Sequence, residues 1–365
     1  MEIKDIRYRV DVSKLIPFAA KVLTKYGEDP EYASITANAL AEADICGVRS
    51  HGFVRFGQYI TKIKKGSLAI KNPIEVAHET ETTALVNGNN GMGFVISQKA
   101  VELARAKAAK SDIAFVSVYN ANHFGAAGIW GSRLAGQDMI GFAGSNAERI
   151  VSAPGGLGRA IGSNPFSLAA PAGKYGNLCL DISAGAMAQG KIWEYRRLNK
   201  PFPPQCWLRP DGVETTDPFS ADFAEFIMFP FGAHKGFGLA VMMECLSALL
   251  AGGPLNKEVP SLARDMDKPQ LLSQFYCAIR IEAFRPLADF IKGAETIIEY
   301  IHELPVREGF PPVMYPGEPE FLSRKKALEE GLLIPETVAK EVLGLAEAVD
   351  ILDGQEVFNQ RLEMS

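Results

Sequence analysis

The chain contains no G-x-G-x-x-G segment anywhere in its 365 residues. The nearest cluster, GGLGRAIG at 155–162, has the wrong spacing, so the phosphate loop of a Rossmann domain is missing. Cysteine is scarce. Cys46, Cys179, Cys206, Cys245 and Cys277 are far apart, odd in number and form no C-x-x-C pair. That argues against a zinc or disulfide framework and fits a reducing compartment, so a cytoplasmic protein without a metal site is expected. Positive charge is not in excess: the net charge is −5, which argues against nucleic acid as a partner. A local basic pocket can still hold a small anion. No long uncharged apolar run is present. The richest stretch, GLAVMMECLSALLAGG, is interrupted by Glu244 and reads as a buried helix, not a membrane span. The start, MEIKDIRYRV, is charged and has no apolar signal core.

What is present is an ordinary globular balance, 47% hydrophobic and 22% charged. Apolar spacing predicts helices over 13–46 and 53–64, strands between 74 and 96, a helix over 95–109 and the strand DIAFVSVYN. A Gly/Ala-rich helix over 123–136 leads to the strand MIGFAGSN. LCLDIS and QFYCAIRIEAF read as strands, 196–218 as a polar, Pro-rich loop, and 286–304 as a helix. Two more helices follow Glu318. Helices, then mixed elements, then helices again predict an α+β fold. Residues 1–75 are expected to pack with 318–365, and 76–317 to form the cofactor- and substrate-binding region.

One segment, DISAGAMAQGKI, nearly spells a triphosphate loop. Gly185 and Gly190 have the G-x-x-x-x-G spacing and Lys191 follows, but Ile192 stands where a Ser or Thr must hold Mg²⁺. Three readings remain: a damaged P-loop, small residues that allow close packing, or a loop that lets a cofactor approach the backbone.

Histidine is also rare, and its placement is uneven. His78 and His302 lie among charges and are given no role. His51 sits in VRSHGFVRFGQY between Ser50 and Gly52, with Arg49 and Arg55 close by; His123 sits in ANHFGAAG; His234 and Lys235 sit in FGAHKGFG. Any one of them could be a capping or core histidine. Small neighbours, however, leave room for a ligand, and helix starts favour anions. Histidine exchanges protons near neutrality, and arginine grips carboxylates with two prongs. Together they suit an enzyme acting on a small anion, without naming the reaction.

Seven blocks in order, SHGFVRFGQY, NHFGAAGIWGSRLA, GSNPFSLAAP, LDISAGAMAQGKI, DGVETTDP, FGAHKGFGLA and VMYPGEPE, resemble those of the malate/L-lactate dehydrogenase family. This is the type-2 family with ureidoglycolate and sulfolactate dehydrogenases and cyclic imino acid reductases. The resemblance implies a non-Rossmann fold binding NAD or NADP, and a homodimer, to which an exposed face on the N-terminal helices would also contribute. It implies interconversion of a 2-hydroxy acid and its 2-oxo acid, with malate the first candidate, and it makes the Walker-like spacing a coincidence. It assigns His123 as proton donor and acceptor, with Ser50 and His51 at the substrate. Arg55, helped by Arg49, would meet the carboxylate. Cofactor contacts would be Ser163, Asn164, Pro165, Asp181, Ile182, Ser183, His234, Lys235, Gly236, Gly317 and Glu318. The sequence departs from the family pattern at Cys46, Ala147, Ala184 and Gly185.

Overall fold

A computed structural model describes residues 5–71 and 73–364, the side chains of Trp193, Glu194 and Arg197 apart. Local signals set the first elements. Strand β1 (Asp5–Val10) ends at Asp11, whose carboxylate accepts the Ser13 N–H at 2.8 Å and caps α1 (Val12–Lys25). Asp29 caps α2 (Pro30–Ile45) in the same way, with Pro30 at its first position. The expected helix over 53–64 is shorter than its pattern: two 3₁₀ turns, Arg49–His51 and Phe53–Arg55, precede α3 (Phe56–Lys64).

Strands β2 (Glu75–Glu79) and β3 (Thr83–Asn87) lead to α4 (Gly93–Ser111) and β4 (Ile113–Ala121), then α5 (Ala127–Ala135) and β5 (Met139–Ser145). Short strands β6 (Arg149–Val151) and β7 (Ile161–Gly162) precede β8 (Phe166–Pro171) and β9 (Asn177–Ile182). Helix α6 (Lys191–Leu198) and the short strands β10 (Trp207–Leu208), β11 (Glu214–Thr215) and β12 (Ile227–Met228) follow. Helix α7 (His234–Glu244) continues as a π turn over Cys245–Leu249 and leads to β13 (Leu272–Arg280). Helix α8 (Leu287–His302), α9 (Glu318–Glu330), β14 (Leu332–Pro335), α10 (Glu336–Glu347) and β15 (Gln360–Met364) complete the chain.

The central sheet has the order β2-β3-β4-β13-β5-β8-β9. Only β3 and β4 run parallel, joined through α4; the other pairs are antiparallel. This is an α+β, non-Rossmann sheet. One face is packed under α4 and α5, where Phe94, Val116, Trp130 and Tyr276 are buried. The polar stretch over 196–218 is not all loop. Its aromatic residues Phe202 and Trp207 join Ile192 and Phe226 in a second core beneath a small sheet, β11-β10-β12-β6-β7. The termini hold strands that their charged sequences hide: β1 lies between β14 and β15, half-buried along its length.

Helix α5 lies close to the sheet because glycine permits it. A Cβ on Gly141 of β5 would fall 2.4 Å from Gly131 O and 2.7 Å from Ala135 N, both backbone atoms that cannot step aside. Gly141→Ala should therefore cost about 1–3 kcal/mol or more. Gly293, inside α8, has nothing within 4 Å of its Cβ position, so Gly293→Ala should gain about 0.5–1 kcal/mol from helix propensity alone. Chemical denaturation checks both; equal changes at the two sites would refute the packing account.

Candidate active site

Two turns meet at one place. The first leaves α2 through Gly47 (φ +80°) and carries Ser50, His51 and Arg55. The Ser50 hydroxyl lies 2.9 Å from His51 Nδ1. Arg55 donates Nε to Ser50 O at 2.9 Å and Nη1 to Gln58 Oε1 at 3.1 Å. Its outer nitrogen, Nη2, has no partner among the described residues. The second turn follows β4. Asn122 is buried and donates to Asn90 O, Asn90 Oδ1 and Gly91 O at 2.9–3.0 Å. That fastens the backbone on which His123 stands.

His123 lies parallel to His51, with ring centroids 5.5 Å apart and planes 12° apart. Its Nδ1 is 2.7 Å from the Tyr59 hydroxyl and 3.3 Å from the Gly125 N–H. A backbone N–H can only donate, so Nδ1 accepts, and the neutral ring carries its proton on Nε2. Tyr59 was not singled out from the sequence. Its position four residues after Arg55 on a helical pattern is the signal that could have found it.

The site is half-buried and cationic. Burial, then the Arg55 charge, pushes His51 down to about 4. Burial, then His51 and Arg55, holds His123 well below the usual imidazole range. Both rings are neutral at pH 7 until something offsets Arg55. Arg49 lies outside this group: it is exposed, and its field reaches the buried Asp44.

The residues assigned to a cofactor form a wall. Ala184 N donates to Ser163 O, Phe231 N to Ala184 O, and Ala186 N to Phe229 O, at 2.7–3.0 Å. The segments around Ser163, Asp181 and Gly236 are thus tied together. A Cβ on Gly185 would fall 1.9 Å from Met228 Sδ, and one on Gly236 2.4 Å from Phe231 O. Ile192, where a P-loop needs a hydroxyl, is fully buried in the second core. Gly190 stands beside Ser50, its Cβ position 3.7 Å from Ser50 Cβ, so the loop runs from the wall to the substrate turn.

The individual residues fare differently. Asp181 is half-buried and takes the Gly128 N–H at the start of α5; burial outweighs that bond and lifts its carboxyl to about 6. Asn164 is fully buried, and its amide is committed to Ala147 N, Ala240 O and Glu244, which makes it a lock between loops. Pro165 accepts the Ser145 N–H through its carbonyl, and Ile182 and Ser183 are half-buried. His234 and Lys235 are exposed at the start of α7. Gly317 (φ +96°) packs on β9, with Cys179 N 3.0 Å from its Cβ position. Glu318 Oε2 accepts from Tyr315 N at 3.0 Å and lies 2.9 Å from His302 Nε2, so His302, given no role from sequence, orients this residue. A cleft of about 1120 Å³ opens between α2, α5, β9 and α9, lined by Gly128, Arg133, Asp181, Gly317, Glu320 and Arg324 among others. It adjoins the wall rather than the two histidines.

Comparison with known proteins places this arrangement. Residues 10–343 match the family model described as malate/L-lactate dehydrogenase. The chain is 36% identical to the L-sulfolactate dehydrogenase of Methanocaldococcus jannaschii, over 84% of this chain and 87% of that one. It is 33% identical to the malate dehydrogenase of Pyrococcus abyssi, over 94% and 95% of the two chains. The crystal structure of malate dehydrogenase from Entamoeba histolytica superposes with a TM-score of 0.90 at 27% identity, covering 95% of this chain and 99% of that one. The chain belongs to the malate/L-lactate dehydrogenase family and is an oxidoreductase of hydroxy acids.

Proposed function

We propose that the chain interconverts malate and oxaloacetate with NAD or NADP, and that His123 moves the proton. The observation that carries this reading is the stacked His51–His123 pair beside the open edge of Arg55. Arg55 Nη2 takes the carboxylate next to the reacting carbon, with Ser50 and His51 beside it. His123 Nε2 faces the carbonyl oxygen and gives it a proton in reduction. Tyr59 steadies Nδ1, donating to the neutral ring and accepting from the charged one. Sulfolactate is the second reading, since the 36% identical relative is named for it and its sulfonate carries the same charge as malate's second carboxylate.

The wall suits a dinucleotide. Lys235 and His234, at a helix start, would hold a diphosphate. Glu318 Oε1 and Asp181 would take ribose hydroxyls. Bound there, a nicotinamide supplies the hydride that a 2-oxo acid needs. We place the enzyme in the cytoplasm: its five cysteines are free thiols, and among the described residues no helix is long and apolar enough to cross a membrane. Residues 1–75 and 318–365 are read as one unit around β1, supporting the 76–317 region.

A homodimer is part of the reading, with a change of surface. The exposed apolar residues lie less on the N-terminal helices than on α7 and its π turn, at Met242, Leu249 and Leu250, and on the open face of the sheet, at Leu168 and Leu180. We read these as the subunit contact. Leu249→Glu with Leu250→Glu should shift sedimentation from dimer to monomer; an unchanged mass would refute this surface.

His123→Ala should lower kcat by roughly 10²- to 10⁴-fold and leave the Kd for NADH near the native value. Arg55→Ala should instead raise KM for the acid, losing about 2–5 kcal/mol of binding, with Arg55→Lys recovering part. Steady-state kinetics with oxaloacetate checks both. Native kcat in His123→Ala would end this assignment.

Proton linkage gives a further test. A carboxylate on Arg55 offsets the positive field that adds to burial in holding both imidazoles down, so their affinity for protons rises. Binding of oxalate at about pH 5, close above the His51 value of about 4, should therefore take up protons, read as a buffer-dependent binding enthalpy. In the free enzyme the sign runs the other way. The unfolded histidine titrates near 6.5 and the folded His51 near 4. Between these values this histidine binds more protons in the unfolded chain, so its contribution to stability should fall as pH drops through that window, a loss that His51→Gln should remove from the pH profile of denaturation. Oxalate binding without proton uptake would contradict the electrostatics.

A further inference from the structure

Asp44 is the last residue but one of α2. A carboxylate there meets the negative end of the helix dipole. It is only 8% exposed, and burial pushes its carboxyl up to about 7, against the helpful Phe53 N–H and the field of Arg49. A buried acid with so few partners, at the unfavourable end of a helix, costs stability. A residue kept on those terms calls for a use.

What the carboxylate touches supplies one. Oδ2 accepts the Phe53 N–H at 2.7 Å. A Cβ on Gly52 would fall 2.2 Å from Asp44 Cγ and 2.3 Å from each carboxylate oxygen. The group therefore lies against the Gly52 α-carbon, where only glycine leaves room. Ser50 and His51 come just before that contact, and Arg55 comes just after it. Arg55 is folded back on the same turn, its backbone N–H on Gly52 O at 3.0 Å and its Nε on Ser50 O at 2.9 Å. The anchor for the acid and one of the two imidazoles thus share a single short turn, and that turn rests on Asp44.

We propose that Asp44 is a positioning residue of the hydroxy-acid site: held against Gly52 and the Phe53 amide, its carboxylate sets the joint aim of His51 and Arg55, given that these two meet the substrate as proposed above. It touches neither substrate nor cofactor. Its effect reaches the chemistry only through the backbone between Gly52 and Arg55.

Asp44→Ala should lower kcat/KM for oxaloacetate by roughly 10- to 100-fold, the cost of a small misplacement, with the Kd for NADH within about twofold of native by the same localisation. Asp44→Asn keeps an oxygen for the Phe53 N–H and should restore most of the loss. It also removes a buried ionisation. The folded carboxyl binds protons more tightly than the unfolded one, so the contribution of Asp44 to stability declines as pH rises from about 4 to 7, opposite in sign to that of His51. At pH 8, Asp44→Asn should melt at the native temperature or above it. A merely structural residue would lower melting temperature and NADH affinity together. Gly52→Ala pushes the carboxylate away with Asp44 intact and should match Asp44→Ala, the double variant being no worse than either. It carries the same test should Asp44→Ala not fold. Native kcat/KM in Asp44→Ala, or a loss that Asn does not restore and that NADH binding shares, would overturn the proposal. If the native enzyme reduces no oxo acid, the substrate assignment falls instead. Oxalate affinity by calorimetry, weakened at least about tenfold in Asp44→Ala or unchanged, then decides the role of Asp44 alone.

Discussion

Everything at the site depends on where β13 is inserted. It comes about 150 residues after β4 in sequence, yet it lies between β4 and β5 at the centre of the sheet. Its approach and first residues carry buried polar side chains, which are costly unless satisfied. Gln270 and Gln274 are satisfied at the second turn of the candidate site, while the Ser273 hydroxyl has no partner among the described residues. Gln270 Oε1 accepts the His123 N–H at 3.2 Å, and Gln274 Nε2 donates to Asn122 O at 2.9 Å. Asn146 Oδ1 accepts the Ser273 N–H at 2.9 Å. Pairing β13 therefore also fastens the backbone at His123, since each buried donor or acceptor left open would cost about 1–3 kcal/mol.

That rigidity bears on how a half-buried cationic site would do the acid–base work proposed for it. Two imidazoles with their centroids 5.5 Å apart, beside an arginine, cannot both be charged. Left alone the pair stays neutral. In the proposed reading a substrate carboxylate would offset the Arg55 field and lower the cost of a protonated ring. Protonation would then be coupled to having the ligand in place. Tyr59 suits this coupling, because a hydroxyl can donate to Nδ1 in one state and accept from it in the other.

Much of this was legible in the sequence, for physical reasons that differ by element. Long amphipathic segments such as α1 and α4 announce themselves by period, and strands buried on one face by composition. His51, His123 and Arg55 stood out because histidine is rare and its neighbours are small. The two terminal strands did not stand out. β1 has Asp5, Arg7 and Arg9 on alternate positions and β15 has Arg361 and Glu363, and only their pairing in the terminal sheet reveals them. The small sheet was hidden because its strands are two or three residues long and its core depends on aromatics far apart in the chain. Asn164 and Glu318 were assigned by motif to the cofactor. Their packing shows that a motif residue can serve the loop's shape as much as its ligand. Tyr59 carried only its spacing from Arg55, and Asp44 was missed because a helix end gives no sign of which turn its carboxylate will meet.

The absence of a glycine-rich Rossmann turn is the last constraint to account for. A dinucleotide needs backbone donors, a helix start and close approach. Here those needs are spread over separate places. Gly185 and Gly236 let two loops zip together, Lys235 opens a helix beside them, and Gly317 presses a third segment onto β9. Glycine is used where backbone must lie on backbone, not where it must turn around a phosphate. Two points of the Gly185–Lys191 spacing follow from packing: Gly185 clears Met228, and Ile192 must reach the core, whereas Gly190 leaves ordinary contact distance to Ser50. The buried isoleucine in place of a metal-binding hydroxyl separates this loop from a nucleotide-triphosphate motif.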